Sequence, residues 1–144
     1  MTKKPLVIGS QGQIQQLQAG DVTPSVDQFD ATNGDAAPHL PGMAVYISAS
    51  DTVKAAIATS YAEATVAAFA TGTVAASAIG SYQAGGRLDI FTGLTPGNVY
   101  FLSPTVAGGI TSTPPTTVGQ WISRVGQAFS ATALDVEIEA GIEL

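Results

Sequence analysis

The sequence predicts a mainly β protein: a single compact antiparallel β-sandwich or barrel, with two related halves as an open alternative, at most one short helix and an extended N-terminal arm. The clearest observation is the alternation of apolar and acidic residues near the C-terminal end, which is typical of a strand with one buried and one solvent-exposed face. A second is the series of short β-forming runs separated by turn signals between residues 93 and 142. The alternating apolar residues are Leu134, Val136, Ile138, Ala140 and Ile142, and the acids between and after them are Asp135, Glu137, Glu139 and Glu143.

The first 41 residues differ from the rest of the chain. Glutamines crowd residues 11–18, aspartates follow, and Pro24, Pro38 and Pro41 prevent long regular structure. Too few apolar residues are present for this part to fold alone. We therefore predict an arm over residues 1–41 and a β domain over residues 42–144. The candidate partner contacts in the arm are the apolar residues Leu6, Val7, Ile8, Ile14 and Leu17.

The first half of the β domain contains one clear strand and one ambiguous stretch. Gly42–Ser48 predicts a strand. Residues 52–64 have helical apolar spacing but several β-branched residues, so we expect at most one or two helical turns. Strand structure should resume at Thr65–Ala70. Beyond it, Gly85 and Gly86 lie between two β-forming runs, and this pattern predicts a hairpin over residues 81–91.

The second half is divided by its turn residues. Pro96 and Gly97 form a turn signal before a predicted strand at residues 98–103. A longer loop and a second strand at residues 110–113 should follow. Residues 118–125 are β-formers, and Gly126 marks a bend or bulge after them.

Two strands of the β domain are similar to each other. The segment at residues 42–48 reads GMAVYIS and the segment at residues 97–103 reads GNVYFLS. They share their length, the leading glycine, the closing serine and an aromatic residue followed by an aliphatic one. Such a match fits an internal repeat, and it also fits chance similarity between generic strands. If the repeat is real, the domain consists of two related β-halves that share a core.

Composition limits the function classes. The chain has 144 residues, which suits one domain, and it contains no cysteine, so that disulfides and thiol chemistry are excluded. Charged residues make up 11% of the chain and the formal net charge is −6. This balance argues against nucleic-acid binding and favours a basic partner. No apolar run approaches the roughly 20 residues of a membrane-spanning helix, and residues 5–8 are too short for a signal-peptide core.

No motif for catalysis or for binding a cofactor or metal is found, and we expect the protein not to be an enzyme. His39 is predicted to be an ordinary loop residue. The acid-rich stretch from Asp27 to Asp35 lacks the ligand spacing of an EF-hand loop, so a solvated turn at Asn33 and Gly34 is the preferred interpretation.

The C-terminal acids and two large aromatic residues each have an ordinary and a functional interpretation. The C-terminal acids suit solvent exposure and protection of a strand edge, but they could also form a patch for a basic partner. Trp121 and Phe129 are expected in the core, as large aromatic residues usually are.

Three segments together cover about half of the chain. They are KPLVIGSQGQIQQLQAGD at residues 4–21, GLTPGNVYFLSPTVAGGITSTPP at residues 93–115 and GQWISRVGQAFSATALDVEI at residues 119–138. These segments resemble structural proteins of tailed bacteriophage particles, in particular small capsid decoration (cement) proteins and modules of tail fibres. The similarity lies in the wording of the sequence and the order of its turns, so it transfers no functional residue.

The resemblance implies a protein of the virion that works through its surfaces. We expect it to decorate and stabilise the exterior of the capsid by binding the major capsid protein, after synthesis in the host cytoplasm. It should be a homo-oligomer, either a dimer or a trimer, with no cofactor and no nucleic-acid or membrane partner. The alternative is a structural or receptor-binding module of a tail fibre or baseplate, which would favour a trimer on the tail.

Overall fold

The computed structural model describes residues 27–144, and it confirms the mainly β fold. These residues form two five-stranded sheets, a two-stranded ribbon and one short helix. The strands are β1 (Gln28–Asn33), β2 (Ala44–Ala49), β3 (Thr52–Ala55), β4 (Ala68–Ala70), β5 (Ile79–Gln83), β6 (Gly85–Asp89), β7 (Val99–Leu102), β8 (Ile110–Thr111), β9 (Trp121–Ile122), β10 (Arg124–Ala128), β11 (Ala133–Glu137) and β12 (Ile142–Glu143), and the helix is α1 (Tyr61–Ala64).

The first five strands close into a small barrel in the order β1-β3-β2-β4-β5, and β5 pairs with β1. All of its pairings are antiparallel except that between β1 and β3. That parallel pairing is short and aligns Thr32 with Thr52 and Asn33 with Val53. The closing pairings leave little free edge, although β4 pairs only with Ala44 and Val45 of β2 and leaves the rest of that strand unpaired on this side.

The second sheet repeats the strand order of the barrel. From β3 the barrel runs β3-β2-β4-β5-β1, and from β8 the second sheet runs β8-β7-β10-β11-β6. The similar segments in the sequence are the corresponding strands β2 and β7. Gly42 and Gly97, which precede them, have nearly equal backbone angles, with φ of 85° and 87°. The alternative of two related halves is thus supported by topology and by local conformation.

The two halves differ in whether the sheet closes into a barrel. In the barrel, β1 and β3 pair, whereas no strand within residues 27–144 joins the corresponding β6 and β8. Strand β8 has only two residues, and Pro114 and Pro115 follow soon after it, so that it cannot be extended into a longer pairing. The second half remains an open sheet that packs against the barrel.

The core consists of two clusters. One fills the barrel and includes Val45, Val53 and Tyr82. The other lies between the barrel and the second sheet and includes Phe69 and Leu102. Strand β4 contributes to both clusters because successive side chains point to opposite faces, and all three of its residues are therefore buried.

Hydrogen bonds also join the two halves. The buried hydroxyl of Ser123 donates to the carbonyl of Ala64 at 2.9 Å. The side-chain amide of Gln83, in β5, donates to the carbonyls of Gly85 and Arg87, in β6, at 2.9 and 3.1 Å. These contacts tie the end of the barrel to the first strand of the second sheet. The protein is held together by shared polar contacts as well as by the shared core.

Two predictions of organisation are wrong. Strand β1 and the loop after it lie inside the segment predicted as an arm, so the folded part begins no later than residue 28, well before residue 42. The hairpin predicted over residues 81–91 does not form, because Ala84 alone separates β5 from β6 and each joins a different sheet. In both cases strand pairing over long sequence distances decides the structure.

Other predictions are confirmed. The helix is limited to one turn, since Thr52–Ala55 is a strand and only Tyr61–Ala64 is helical. The pairing register shifts between Arg124 and Gly126, as expected of a bulge. A Cβ atom at Gly126 would lie 2.3 Å from the carbonyl oxygen of Asp135, so the close approach of the two backbones requires glycine.

Candidate interaction surface

The helix α1 carries an exposed aromatic ring. Its first turn is capped by Ser60, whose hydroxyl accepts a hydrogen bond from the backbone N–H of Glu63 at 3.4 Å. Ala64 is buried in the core between the two sheets. The side chain of Tyr61 is 70% exposed. Its ring contacts the ring of Trp121 in an edge-on arrangement, with 5.4 Å between the ring centroids. A one-turn helix thus holds an aromatic residue at the surface, in contact with both halves.

A depression of about 260 Å³ lies beside Tyr61. Ile47, at its other side, is an aliphatic residue that is 65% exposed. Pockets that enclose small-molecule ligands usually have volumes of roughly 300 to 1,000 Å³. This depression is open and smaller, and it suits one or two side chains of another polypeptide. It is lined by Ile47, Tyr61, Ala62, Thr65, Val66 and Ala67.

Two further depressions adjoin the first. Towards the barrel end it shares Ile47 with a second depression. Towards the C-terminal segment it shares Tyr61 with a third. We call the three together the apolar groove. The second depression adds Phe29, Asp30, Ala31, Asp51, Thr52 and Val53, and the third adds Ile138, Glu139, Ala140 and Gly141.

Carboxylates lie at both ends of the apolar groove. At the barrel end, Asp30 and Asp51 are exposed, and neither forms an ion pair with any other residue of the described part of the chain. At the other end, Glu139 is bound by Arg124 at 2.9 Å. The groove therefore offers an apolar floor and uncompensated negative charge at the barrel end. A fitting partner has aliphatic side chains next to cationic ones.

The C-terminal acids are partly neutralised. The predicted alternation is confirmed only through β11, where Leu134 and Val136 are buried and Asp135 and Glu137 are exposed. It is wrong beyond this strand, because Ala140 and Ile142 are exposed. Arg124 bridges Glu137 and Glu139 at 3.0 and 2.9 Å. These contacts, with the Glu137 hydrogen bond the largest cause, raise the pKa of Arg124. The ordinary interpretation and the patch for a basic partner both remain open.

The two aromatic residues expected in the core differ in position. Trp121 is partly buried and packs against the core between the sheets, as predicted. Phe129 is 65% exposed, so that prediction is wrong for it. The centroid of its ring lies 4.3 Å from the guanidinium carbon of Arg87. This cation–π contact accounts for an aromatic residue at the surface.

His39 is not an ordinary loop residue, because its side chain is fully buried. Its Nε2 lies 2.8 Å from the carboxylate of Asp35, and its Nδ1 lies 2.8 Å from the hydroxyl of Tyr82. An ionised carboxylate can only accept, so Nε2 donates to Asp35, while Nδ1 shares a hydrogen bond with the Tyr82 hydroxyl. The same Asp35 oxygen accepts the backbone N–H of Ala55 at 2.8 Å.

The turn predicted near Asn33 and Gly34 is also wrong, because Asn33 is a fully buried residue of β1. Its side-chain amide donates to the carbonyls of Ala37 and Val74 at 2.9 and 3.0 Å and accepts from the backbone N–H of Asp35. Sequence reasoning missed the burial of Asn33 and His39 because it depends on Val74 and Tyr82, which are distant in sequence. The one local signal is the four-residue spacing of Asp35 and His39.

The chain of Asp35, His39 and Tyr82 resembles a catalytic triad in composition but not in access. Its hydroxyl belongs to Tyr82, which is fully buried, and burial, followed by the nearby charge of Asp35, raises the pKa of that hydroxyl. A nucleophile needs the opposite conditions, contact with substrate and activation by a lowered pKa or an adjacent base. We conclude that the cluster connects the loop after β1 to β3 and β5 and has a structural role.

The predicted contact residues Leu6, Val7, Ile8, Ile14 and Leu17 lie outside the described residues. Within residues 27–144, no group of three or more histidine, cysteine or acidic side chains is placed to hold a metal ion. In the same range no helix has both the length and the apolar character needed to cross a membrane. The comparisons with family models and with curated proteins found no match for this chain.

Proposed function

We propose that this protein is a structural component of a phage virion that decorates the capsid exterior and stabilises the shell by binding the major capsid protein. The observation that carries the proposal is the apolar groove, in which Ile47 and Tyr61 are 65% and 70% exposed. Exposed apolar surface of this kind marks sites where proteins bind other proteins. The resemblance of three sequence segments to phage structural proteins supports the virion as the setting.

The physical basis of such stabilisation is mass action. A protein that binds the assembled shell, but not its separated subunits, stabilises the shell by about 2.7 kcal/mol per site at a free concentration one hundred times the Kd. Many copies on one particle multiply this effect. A compact β domain is suited to stabilising the shell, because every bound copy can present the same binding surface to the capsid.

The test uses capsids assembled without this protein and the purified full-length chain. We expect the protein to bind the capsids and to raise the temperature at which they release their contents. Replacing Ile47 with Ser should weaken both effects, because it removes exposed apolar surface without disturbing the core. Val118, which is 87% exposed and lies outside the groove, provides the matched Val118→Ser control.

Complete virions, which carry both capsid and tail, separate the proposal from its alternative. Labelled protein found on the tail would contradict capsid decoration and support the tail-fibre or baseplate module. Capsids that bind no protein and melt at an unchanged temperature would also overturn the proposal.

A further inference from the structure

The apolar groove contains a strand position that is covered in the other half of the protein. In the two similar segments, Ile47 corresponds to Leu102. Leu102 is fully buried, whereas Ile47 is 65% exposed. The two halves can therefore be compared at this position. Within residues 27–144, other residues cover the side chain in the second half and leave it exposed in the first. An aliphatic residue at the open position favours an occupant that covers it.

The pairing of strand β2, which carries Ile47, differs along its length. Strand β3 pairs with it from Val45 to Ala49, whereas β4 pairs only with Ala44 and Val45. At Ile47, β2 therefore has a partner strand on one side only within residues 27–144. The occupant would place apolar groups over the floor of the groove and cationic groups near Asp30 and Asp51.

One segment of this chain has that composition. Residues 3–8 read KKPLVI and place two lysines beside three aliphatic residues. The other apolar run before the barrel, residues 14–17, has no charged residue closer than Asp21, which the carboxylates of the groove would repel. The charges also differ between the two parts of the chain: residues 27–144 contain ten acids and three bases, and residues 1–20 contain two lysines and no acid.

The position of residue 27, where the described structure begins, also favours residues 3–8 as the occupant of the groove. The described structure begins at Asp27, and Phe29, two residues later, lines the barrel end of the groove. Eighteen residues lie between Ile8 and Asp27, and they can span at most about 65 Å. Tethering through a linker of this order raises the effective concentration of the segment to the millimolar range, so even weak docking becomes populated.

We propose that, in the free protein, residues 3–8 dock into the apolar groove of their own chain, with Leu6, Val7 and Ile8 over Ile47 and Tyr61 and with Lys3 and Lys4 near Asp30 and Asp51. The contact protects the exposed apolar surface before assembly. Binding of a partner through the groove then requires the segment to leave it. This contact does not depend on a capsid, so it stands apart from the proposed function.

The absence of cysteine makes the test direct. The full-length double variant Val7→Cys with Ile47→Cys is treated with a short bifunctional maleimide at high dilution. The control pairs Val7→Cys with Val118→Cys, at a position that is more exposed than Ile47 and lies outside the groove. We expect intramolecular cross-linking of the first pair to be at least about tenfold faster, because docking raises the local concentration at residue 47 only.

Two further variants test the choice of segment and the role of charge. Leu17→Cys with Ile47→Cys has a shorter tether, yet it should react more slowly than the Val7 pair. Adding Lys3→Glu and Lys4→Glu to the Val7 pair should slow its reaction about two- to fivefold, the range that exposed ion pairs provide.

Three results would overturn the proposal. The first is equal rates for the Ile47 and Val118 pairs. The second is a faster reaction of the Leu17 pair than of the Val7 pair. The third is a product that consists of cross-linked dimers at high dilution, which would assign the groove to a second copy.

Discussion

Removing the carboxylate of Asp35 should destabilise the protein strongly, although this residue is partly exposed. One Asp35 oxygen accepts both the Nε2 proton of His39 and the backbone N–H of Ala55, each at 2.8 Å. In Asp35→Ala both donors lose their acceptor. His39 is fully buried, and water cannot easily replace the lost partner there.

The magnitude follows from those two contacts. A buried donor left without an acceptor costs about 1–3 kcal/mol. The Asp35 side chain is 31% exposed, so water can reach part of the vacated space and reduce the loss at Ala55. We expect Asp35→Ala to lower the free energy of unfolding by about 2–4 kcal/mol. Asp35→Asn keeps an acceptor oxygen but removes its charge, and should cost about 1–2 kcal/mol.

Urea unfolding followed by tryptophan fluorescence, with Trp121 as the probe, measures these differences. Asp89→Ala is the control, because Asp89 is exposed and its nearest cation, on Arg87, lies 3.9 Å away. That variant should change stability by less than about 0.5 kcal/mol. If Asp35→Ala were no more destabilising than Asp89→Ala, the structural role assigned to the Asp35, His39 and Tyr82 cluster would be refuted.

Three further predictions concern the core and the close backbone contacts. The pKa of Tyr82 is raised above its ordinary value of 10.0, so the unfolded chain loses this proton first and stability should fall as the pH rises above 10.0; pH-dependent urea titrations should show a smaller fall for Tyr82→Phe. Gly126→Ala should cost about 1–3 kcal/mol by thermal or urea unfolding, because the new Cβ would meet the Asp135 carbonyl, whereas Gly72→Ala, with open space around it, should be close to neutral. Leu102→Ala should cost about 2–5 kcal/mol in the same assay, since Leu102 is fully buried between the sheets, and a change below 1 kcal/mol would contradict its place in the core.

Local patterns predicted the strands well. The alternation in β11 and the turn before β7 are visible in the sequence because a strand with one wet face needs period-2 alternation and a tight turn needs residues such as proline and glycine. The bulge at Gly126 was predictable for the same reason. In each case the cause lies within a few neighbouring residues.

The pairing of the strands was not predictable in the same way. Gln28–Asn33 looked like part of a polar arm because its residues are mixed, with only Phe29 and Ala31 apolar. It folds as β1 because β3 and β5, about 20 and 50 residues away, supply its hydrogen-bond partners. The apolar groove was missed for a similar reason, since Phe29, Ile47, Tyr61 and Ile138 are brought together only by the barrel and the second sheet.

By itself, the sequence determined the β class, the positions of many strands, the limit of at most one short helix and the lack of thiol chemistry. These properties follow from side-chain periodicity, from turn residues and from composition. The tertiary structure decided that the first half closes into a barrel, that His39 and Asn33 are buried polar residues, and that Ile47 remains exposed where Leu102 is covered. Each of those outcomes depends on contacts between residues far apart in the chain, and local sequence patterns do not specify such contacts.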